Sequence, residues 1–484
     1  MPTIRIFNEV LVLIRSALPT LLFAALLAFV STHAFAQNDA CDSDYVSQTD
    51  AIVTVSPSAG DDTENIQCAF DEATARSLKE VRLTAGDFTV SSQIFVESFE
   101  GSFAGQTTAT TVIRVEERSV ACGIDATEGI FEFSRGNVSV RRMSIEVGRP
   151  CATGDIYSVI FFTADPADCE LRTAFGNVDR VSLTGPGKTI DFGVAIQMAE
   201  SELCPIDLRL LGTLKVNRSE IIGFPTGVIT ALVGGAQVDI NFNEFAGNDT
   251  AVIFINSNTN ATITGNVFRY NDAQGSIAGT SAAVSLLTGS PVAPAQNRLV
   301  IHNNQFIDGG VFEIAAAIDG FLVSGANRTA HSLVVSSNLF TLSSVRAVGI
   351  VYTDVDNGVI VDNGFRGSAE FAVILDSFNF SQPITGWSVV ANRFNSVGSA
   401  FDVFFGPGTS NSIVGPQIAT VAGPSFASSG NFYLHTDPSQ AASSNSLNEP
   451  VVLPFVNAAL AQAKIGLRDY HYEQYARLYQ KSKD

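Results

Sequence analysis

One short phrase recurs through this chain and leaves little freedom in how it can fold: an apolar residue, two others, Asn, one more, then Phe. It occurs as Ile240-x-x-Asn243-x-Phe245, Ile263-x-x-Asn266-x-Phe268 and Ile301-x-x-Asn304-x-Phe306. It returns as Val335-x-x-Asn338-x-Phe340, Ile360-x-x-Asn363-x-Phe365 and Val389-x-x-Asn392-x-Phe394. Weaker copies precede these, with Met143, Val181 and Ser219 in the Asn slot and Ile145, Leu183 and Ile221 in the Phe slot. Met143 to Asn392 spans 249 residues in eight steps, about 31 each, the period of a solenoid.

The phrase reads as a strand, a sharp turn at Asn and a second strand opened by Phe. Asn tolerates left-handed backbone conformations. Identical Asn side chains stacked about 4.8 Å apart can hydrogen-bond along the pile, with the Phe rings stacked inside. A third strand is marked by a small residue before an apolar run, at Gly129, Ser158, Gly193, Gly227, Ala251, Ala283, Gly310, Gly349, Ala372 and Ala400. The expectation is three strands per coil with parallel pairing between coils. Steps that vary from 23 to 38 residues place insertions at the coil corners. An antiparallel sandwich with Asn-rich turns is the competing reading, disfavoured by the scarcity of Asn-Gly hairpin signals.

Residues 1–36 have the form of a secretory signal. Arg5 and Arg15 precede the apolar stretch 17–30, and Ala34-Phe35-Ala36 is a small-x-small cleavage site. The apolar run is short for a bilayer span, though retention as an anchor is the alternative. No later segment reads as an integral membrane helix. The six cysteines, Cys41, Cys68, Cys122, Cys151, Cys169 and Cys204, all follow this segment, and an even number in an exported protein suggests three disulfides. The formal net charge of −20, from 28 basic and 48 acidic side chains, argues against nucleic acid as a partner.

The opening Gly60-Asp61-Asp62-Thr63-Glu64-Asn65-Ile66-Gln67-Cys68-Ala69-Phe70, followed by Val81-Arg82-Leu83-Thr84-Ala85-Gly86-Asp87-Phe88, resembles the start of right-handed parallel β-helix proteins of the pectate-lyase superfamily. The resemblance covers about 50–415 and implies an all-β, single-stranded, right-handed parallel β-helix. It also implies an amphipathic helix near 62–78 that caps the N-terminal end. Asp62 is a fair N-cap, with Ile66, Phe70 and Ala73 on one face. The domain plan is then a signal over 1–36, a β-helix over 37–422, a Ser/Asn/Pro-rich loop over 423–450 and a helical segment over 451–484. That last segment is expected to pack on the solenoid or to bind a partner. Coil alignment pairs Cys122 with Cys151 and Cys169 with Cys204, since each pair holds the same place on consecutive coils and stacked strands lie within disulfide reach. Cys41 and Cys68 are left to tie the N-terminal strand to the capping helix.

The chemistry is less legible. Lyases of the superfamily act on polyuronates with a Lys or Arg base and often Ca²⁺, usually from the strand with the small leading residue. The ten six-residue windows at that strand contain no Lys or Arg. With alternation counted from the small residue, Phe131, Phe133, Ile160, Phe162, Ile253, Ile255, Phe312 and Ile374 point outward. Shifted by one, Glu132 and Glu313 do. Either face suits a polyuronate poorly, and an apolar one would be covered. The Gly-His-Gly and Arg-x-Lys motifs of galacturonan hydrolases are absent. Asp165-Pro166-Ala167-Asp168 resembles the Asp-Pro-His-Asp signature of mannuronan epimerases, but Ala167 replaces the proton-transferring His.

Two acidic groups remain. Asp165 and Glu200 should stack on adjacent coils near Asp168, Glu170 and Glu202, as a Ca²⁺ site or as a solvated rim. Tyr352, Asp354 and Asp376 end consecutive strands and could serve glycoside hydrolysis, or be ordinary strand-end residues. His302 is expected to face solvent. No cofactor is required. Two functions stand: an exported, periplasmic or extracellular protein that binds or processes a glycan, or a non-catalytic structural or partner-binding solenoid. The first expects convergent carboxylates or His in an open cleft; the second expects a covered apolar face.

Overall fold

The structure, a computed structural model, describes residues 41–115, 129–148, 157–164, 173–187, 193–199, 210–231, 233–255, 259–270, 281–288, 298–308, 315–322, 332–343, 347–353, 355–369, 371–377, 383–395, 397, 401–406, 408–421, 423–426, 431–433 and 442–443. From Asp44 onward the described residues wind as a right-handed parallel β-helix with three strands per coil. Strands on either side of the Asn turn join into one network of 25 strands, here the turn sheet, and the remaining strands form a twelve-stranded lead sheet. Pairing is parallel throughout, except that Val46–Gln48 runs antiparallel to Ile52–Val55 and Phe432–Tyr433 antiparallel to Ala442–Ser443. The two exceptions lie at the opposite limits of the turn sheet, where a parallel edge would otherwise be open to pairing.

Register follows the repeat. Ile240, Ile263, Ile301, Val335, Ile360 and Val389 are successive Cα partners. So are Phe245, Phe268, Phe306, Phe340, Phe365 and Phe394. The weaker copies fall in line as well, with Val140, Val178 and Val216 leading to Ile240. The six Phe rings stack with centroids 4.6–5.2 Å apart and planes within 5–11° of parallel.

The Asn side chains form a ladder. Asn338 Oδ1 accepts from the backbone N–H and Nδ2 of Asn304 at 2.9 and 3.0 Å, and its own Nδ2 donates to Ile301 O and to Asn363 Oδ1, both at 2.9 Å. Ser219 starts the ladder, its Oγ accepting from Val181 N at 3.1 Å, and Gln417 ends it, its Oε1 accepting from Asn392 N at 2.9 Å. One expectation needs correcting. The left-handed residue of each turn is the one before the slot: Arg142, Arg180, Arg218, Phe242, Gly265, Asn303, Ser337, Asp362 and Ala391 have φ between 50° and 69°. Only Gly265 adopts that backbone without steric cost. Asn serves here through its amide, which is fully used, rather than through its backbone tolerance.

Lead strands lie where small residues precede apolar runs, but the small residues do not all keep one register. Ser158 pairs with Gly129, as the cysteine alignment requires, but with Val194 rather than Gly193 on the next coil. The strand expected at Gly310 is Ala315–Leu322, because Ala315-Ala316-Ala317-Ile318 is an equally good small-led run. Helix α1, Thr63–Ala75, buries Ile66, Ala69, Phe70 and Ala73 at helical spacing. Phe70 meets Phe99, Phe103 and Phe133 at centroid distances of 5.1–5.8 Å, so the helix lies on an aromatic floor. Gln67 extends a strand edge into the helix: its Nε2 donates to Phe95 O and its Oε1 accepts from Phe95 N. The helix start uses two carboxylates. Asp62 stands at the N-cap, but its oxygens accept from Ser58 N and Thr89 N, and it is Asp61 that accepts from Thr63 N at 3.0 Å. Cys41 and Cys68 are each disulfide-bonded. Cys122, Cys151, Cys169, Cys204 and the segment 451–484 lie outside the described residues.

Candidate functional site

The lead sheet is where family resemblance would put chemistry, so its two faces matter. Phe131 lies 5.5 Å from the Phe103 ring, and Phe133 contacts Phe70 and Phe162. These side chains point into the core, not outward as alternation from the small residue suggested. The error is local: Gly129 and Ser158 align with Thr226 and Thr250, whereas Gly227 and Ala251 sit one residue further on, so counting from the small residue changes face between coils. A Cβ on Gly227 or Gly349 would meet the ring of Phe245 or Phe365, at 3.2 and 2.6 Å. The leading residue is small there because the Phe stack occupies the space.

The outward row therefore runs through Phe95, Glu132, Phe161, Gln197, Ile229, Ile253, Ser285, Asp319, Val351, Ile374 and Phe404, which are successive register partners. Phe95 at the first coil is 41% exposed; from Glu132 onward the members whose burial is described are buried, Phe161 and Ile229 at 0% exposure and Glu132 at 7%. The face is covered beyond its first coil, but it is mixed rather than apolar, since Glu132, Gln197, Ser285 and Asp319 share the row with the Phe, Ile and Val side chains. Glu132 is satisfied there, accepting from Gln93 Nε2 at 3.0 Å and from Gly129 N at 3.3 Å. The twelve lead strands contain no Lys or Arg; their charged residues are Glu97, Glu132, Asp319, Asp376 and Asp402, all acidic.

The strand-end candidates separate. Tyr352 is 0% exposed and stacks on Trp387 at 5.0 Å, with its ring against Gly320, which places it inside the coil. Asp376 is 3% exposed at a corner, where Oδ1 accepts from Ser377 N at 2.8 Å and Gly408 N at 2.9 Å. A Cβ on Gly406 would fall 2.1 Å from its carboxyl carbon, so the backbone folds over this side chain. Asp354 lies outside the described residues. So do the acidic candidates Asp165, Asp168 and Glu200, with Glu170 and Glu202. Among the described residues no group of three or more His, Cys, Asp or Glu is placed to hold a metal ion. His302 is solvent-facing, as expected, with Nδ1 3.0 Å from Ser336 Oγ.

An open groove of about 640 Å³ does exist, on the outer side of the first coils where lead strands turn into turn-sheet strands. Its walls carry Lys79, Glu100, Asn137, Thr173 and Phe175, and its floor is Gly101 and Gly136. Phe175, Asn137 and Glu100 are successive register partners, so they stand on three adjacent coils at the strand spacing of about 4.8 Å. Phe175 is 38% exposed. Lys79 Nζ lies 3.2 Å from Glu100 Oε2. The volume falls in the ~300–1,000 Å³ range of small-molecule sites. No motif announces this groove; its residues differ from coil to coil, and only stacking assembles them.

No protein-family model matches the chain. No curated protein matches it by sequence. Solved structures do. The Dettilon tailspike protein aligns with a TM-score of 0.53 and 13% identity over 78% of this chain and 70% of that one. The catalytic domain of a GH87 α-1,3-glucanase in complex with nigerose aligns at 0.50 and 12%, over 80% and 68%. The catalytic unit of the thermostable GH87 α-1,3-glucanase from Streptomyces thermodiastaticus aligns at 0.50 and 10%, over 79% and 66%. At such identities the likeness is one of fold, and the fold is the parallel β-helix that the opening residues and repeat implied.

Proposed function

We propose that this chain is an exported β-helix protein that binds an extracellular or cell-envelope glycan and does not cleave it. The observation that carries the reading is the contrast between faces: beyond Phe95 the lead sheet's outward row is buried wherever it is described, while the groove at the corner of the first coils is open and combines one aromatic ring with several hydrogen-bonding groups. Such a mixture suits a ligand with hydroxyls and apolar faces. The disulfide-bonded cysteines support export to an oxidising compartment. The alignment with a glucanase domain in complex with nigerose supports a saccharide ligand. For catalysis, Tyr352 and Asp376 are already committed, one to the core and one to holding a corner.

Incubating the purified protein with neutral and acidic polysaccharides, and reading binding, reducing ends and unsaturated products together, tests this. Binding without new ends or unsaturated products is expected; sustained product release sinks the non-catalytic reading. The second reading, a structural solenoid that holds a partner, is favoured by an apolar row on the outer turn sheet. Val300, Val334, Val359 and Ile413 align in one register row interrupted by Ser388, with Val359 and Ile413 each 37% exposed. That reading expects the whole saccharide panel to fail.

A further inference from the structure

We propose that the corner groove is a subsite for an uncharged saccharide, with Phe175 as the platform for a sugar ring and Asn137 and Glu100 as the groups that bind its hydroxyls. The proposal rests on the glycan-binding reading and adds a place and a chemical class to it. Three adjacent rungs present an aromatic face, an amide and a carboxylate in order, Phe175, Asn137 and Glu100. An isolated exposed Phe needs no explanation. This one lies in a concave site beside an amide, a carboxylate, a hydroxyl and an ammonium group. A pyranose ring matches that set, because its C–H face is apolar while its equatorial hydroxyls both donate and accept.

The floor is kept bare by backbone crowding. A Cβ on Gly101 would lie 2.4 Å from Lys79 O, and one on Gly136, whose φ is +86°, would lie 2.2 Å from Phe99 O. No side chain can rise there, so a ring can lie close to the backbone. The four rungs from Lys79 to Thr173 span roughly 14 Å at about 4.8 Å per coil, room for more than one ring.

Charge decides the class. Among the described lining residues Lys79 is the cation and Glu100 the anion, and they pair at 3.2 Å, so these residues offer a uronate no unbalanced positive charge. The chain's net charge of −20 adds long-range repulsion against a polyanion. Glu100 thus does two things: it accepts sugar hydroxyls and it keeps Lys79 neutralised.

The test is titration calorimetry on the full chain with nigerose and longer neutral gluco-oligosaccharides and, separately, with trigalacturonate. It compares wild type, Phe175→Ala and Glu100→Gln, each with a matched thermal melt. Wild type should bind a neutral sugar and not trigalacturonate. Phe175→Ala should weaken neutral-sugar binding at least tenfold with an unchanged melt. Glu100→Gln should free Lys79 and confer trigalacturonate binding that fades with added salt. Undiminished neutral-sugar binding in Phe175→Ala overturns the location and leaves the glycan-binding reading standing. Wild-type preference for trigalacturonate overturns the chemical class. Failure of wild type to bind any saccharide overturns the glycan-binding reading itself, and the groove assignment with it.

Discussion

Coils before residue 220 and coils after it solve the same turn with different materials. Both place a left-handed residue ahead of the slot, Arg142, Arg180 and Arg218 in the first set and Phe242 to Ala391 in the second. After Ser219 the slot holds a buried amide that hydrogen-bonds to both neighbouring coils. Before it, Met143 and Val181 give only apolar packing. The early coils are tied instead by ion pairs across coils, such as the exposed Arg218–Asp179 at 2.6 Å and the part-buried Arg141–Glu80 at 3.3 Å. All ion pairs among the described residues fall between residues 72 and 269. The difference separates stability from function. Surface ion pairs contribute about 0–1 kcal/mol each, whereas buried amide hydrogen bonds contribute about 1 kcal/mol and cost more when broken. The regular coils can hold the rod, leaving the early coils free to vary in sequence and to form the groove.

The largest test of that division is removal of one ring from the stack. Phe306 packs between Phe268 and Phe340 at 4.9 and 4.8 Å. Phe306→Ala should lower stability by about 3–5 kcal/mol, read from denaturant midpoints. A loss below about 1 kcal/mol would mean that the stack is not what holds the late coils. Next is Asn338→Ala, which strands the N–H groups of Asn304 and two acceptors. We expect about 3 kcal/mol, from several buried hydrogen bonds lost together.

The ladder and the groove show why one half of this molecule was legible and the other was not. Asn and Phe recur because each coil repeats one buried geometry, and a repeated constraint leaves a repeated letter. Even there the backbone detail escaped, since the left-handed position tolerates Arg, Ser, Asp or Ala and so leaves no letter. Gln417 continues the ladder with one more methylene and falls outside the phrase. The groove has no period at all. Glu100, Asn137 and Phe175 are different residues 37 and 38 positions apart, joined only by register. Tyr352 misled for the same reason in reverse: a phenol at a strand end looks exposed until Trp387 is stacked beneath it.

At the capped end the expected effects are smaller. Asp61 is exposed; what desolvation it has raises its carboxyl pKa, but hydrogen bonds from Ser91 and Thr63 outweigh this and hold it below the ordinary value. A depressed carboxylate stabilises the fold above its unfolded pKa of about 3.9, and that stability is lost as pH falls through the lower folded value. Asp61→Ala should cost about 1 kcal/mol near neutrality, as a lost cap does, and should flatten the acid limb of stability below about pH 4. An unchanged acid limb would show that Asp61 is not the group that titrates there.

The weakest expected effects bear most directly on the comparison, because they set the two kinds of turn side by side. Ala391 has φ of 55° and no side-chain hydrogen bond to lose, so Ala391→Gly relieves left-handed strain of about 1–2 kcal/mol, while the freer unfolded chain offsets about 0.4–1. A net gain of roughly 0.5–1 kcal/mol is expected. At the equivalent place on an early coil, Arg218→Gly relieves the same strain but removes the exposed pair with Asp179, worth at most about 1 kcal/mol. The two changes should therefore move thermal midpoints in the same direction, with Arg218→Gly the smaller and closing on Ala391→Gly as salt is added, since salt screens the pair. If Arg218→Gly is instead strongly destabilising and insensitive to salt, the early coils depend on their arginines for packing, and the division between a supporting half and a variable half does not hold.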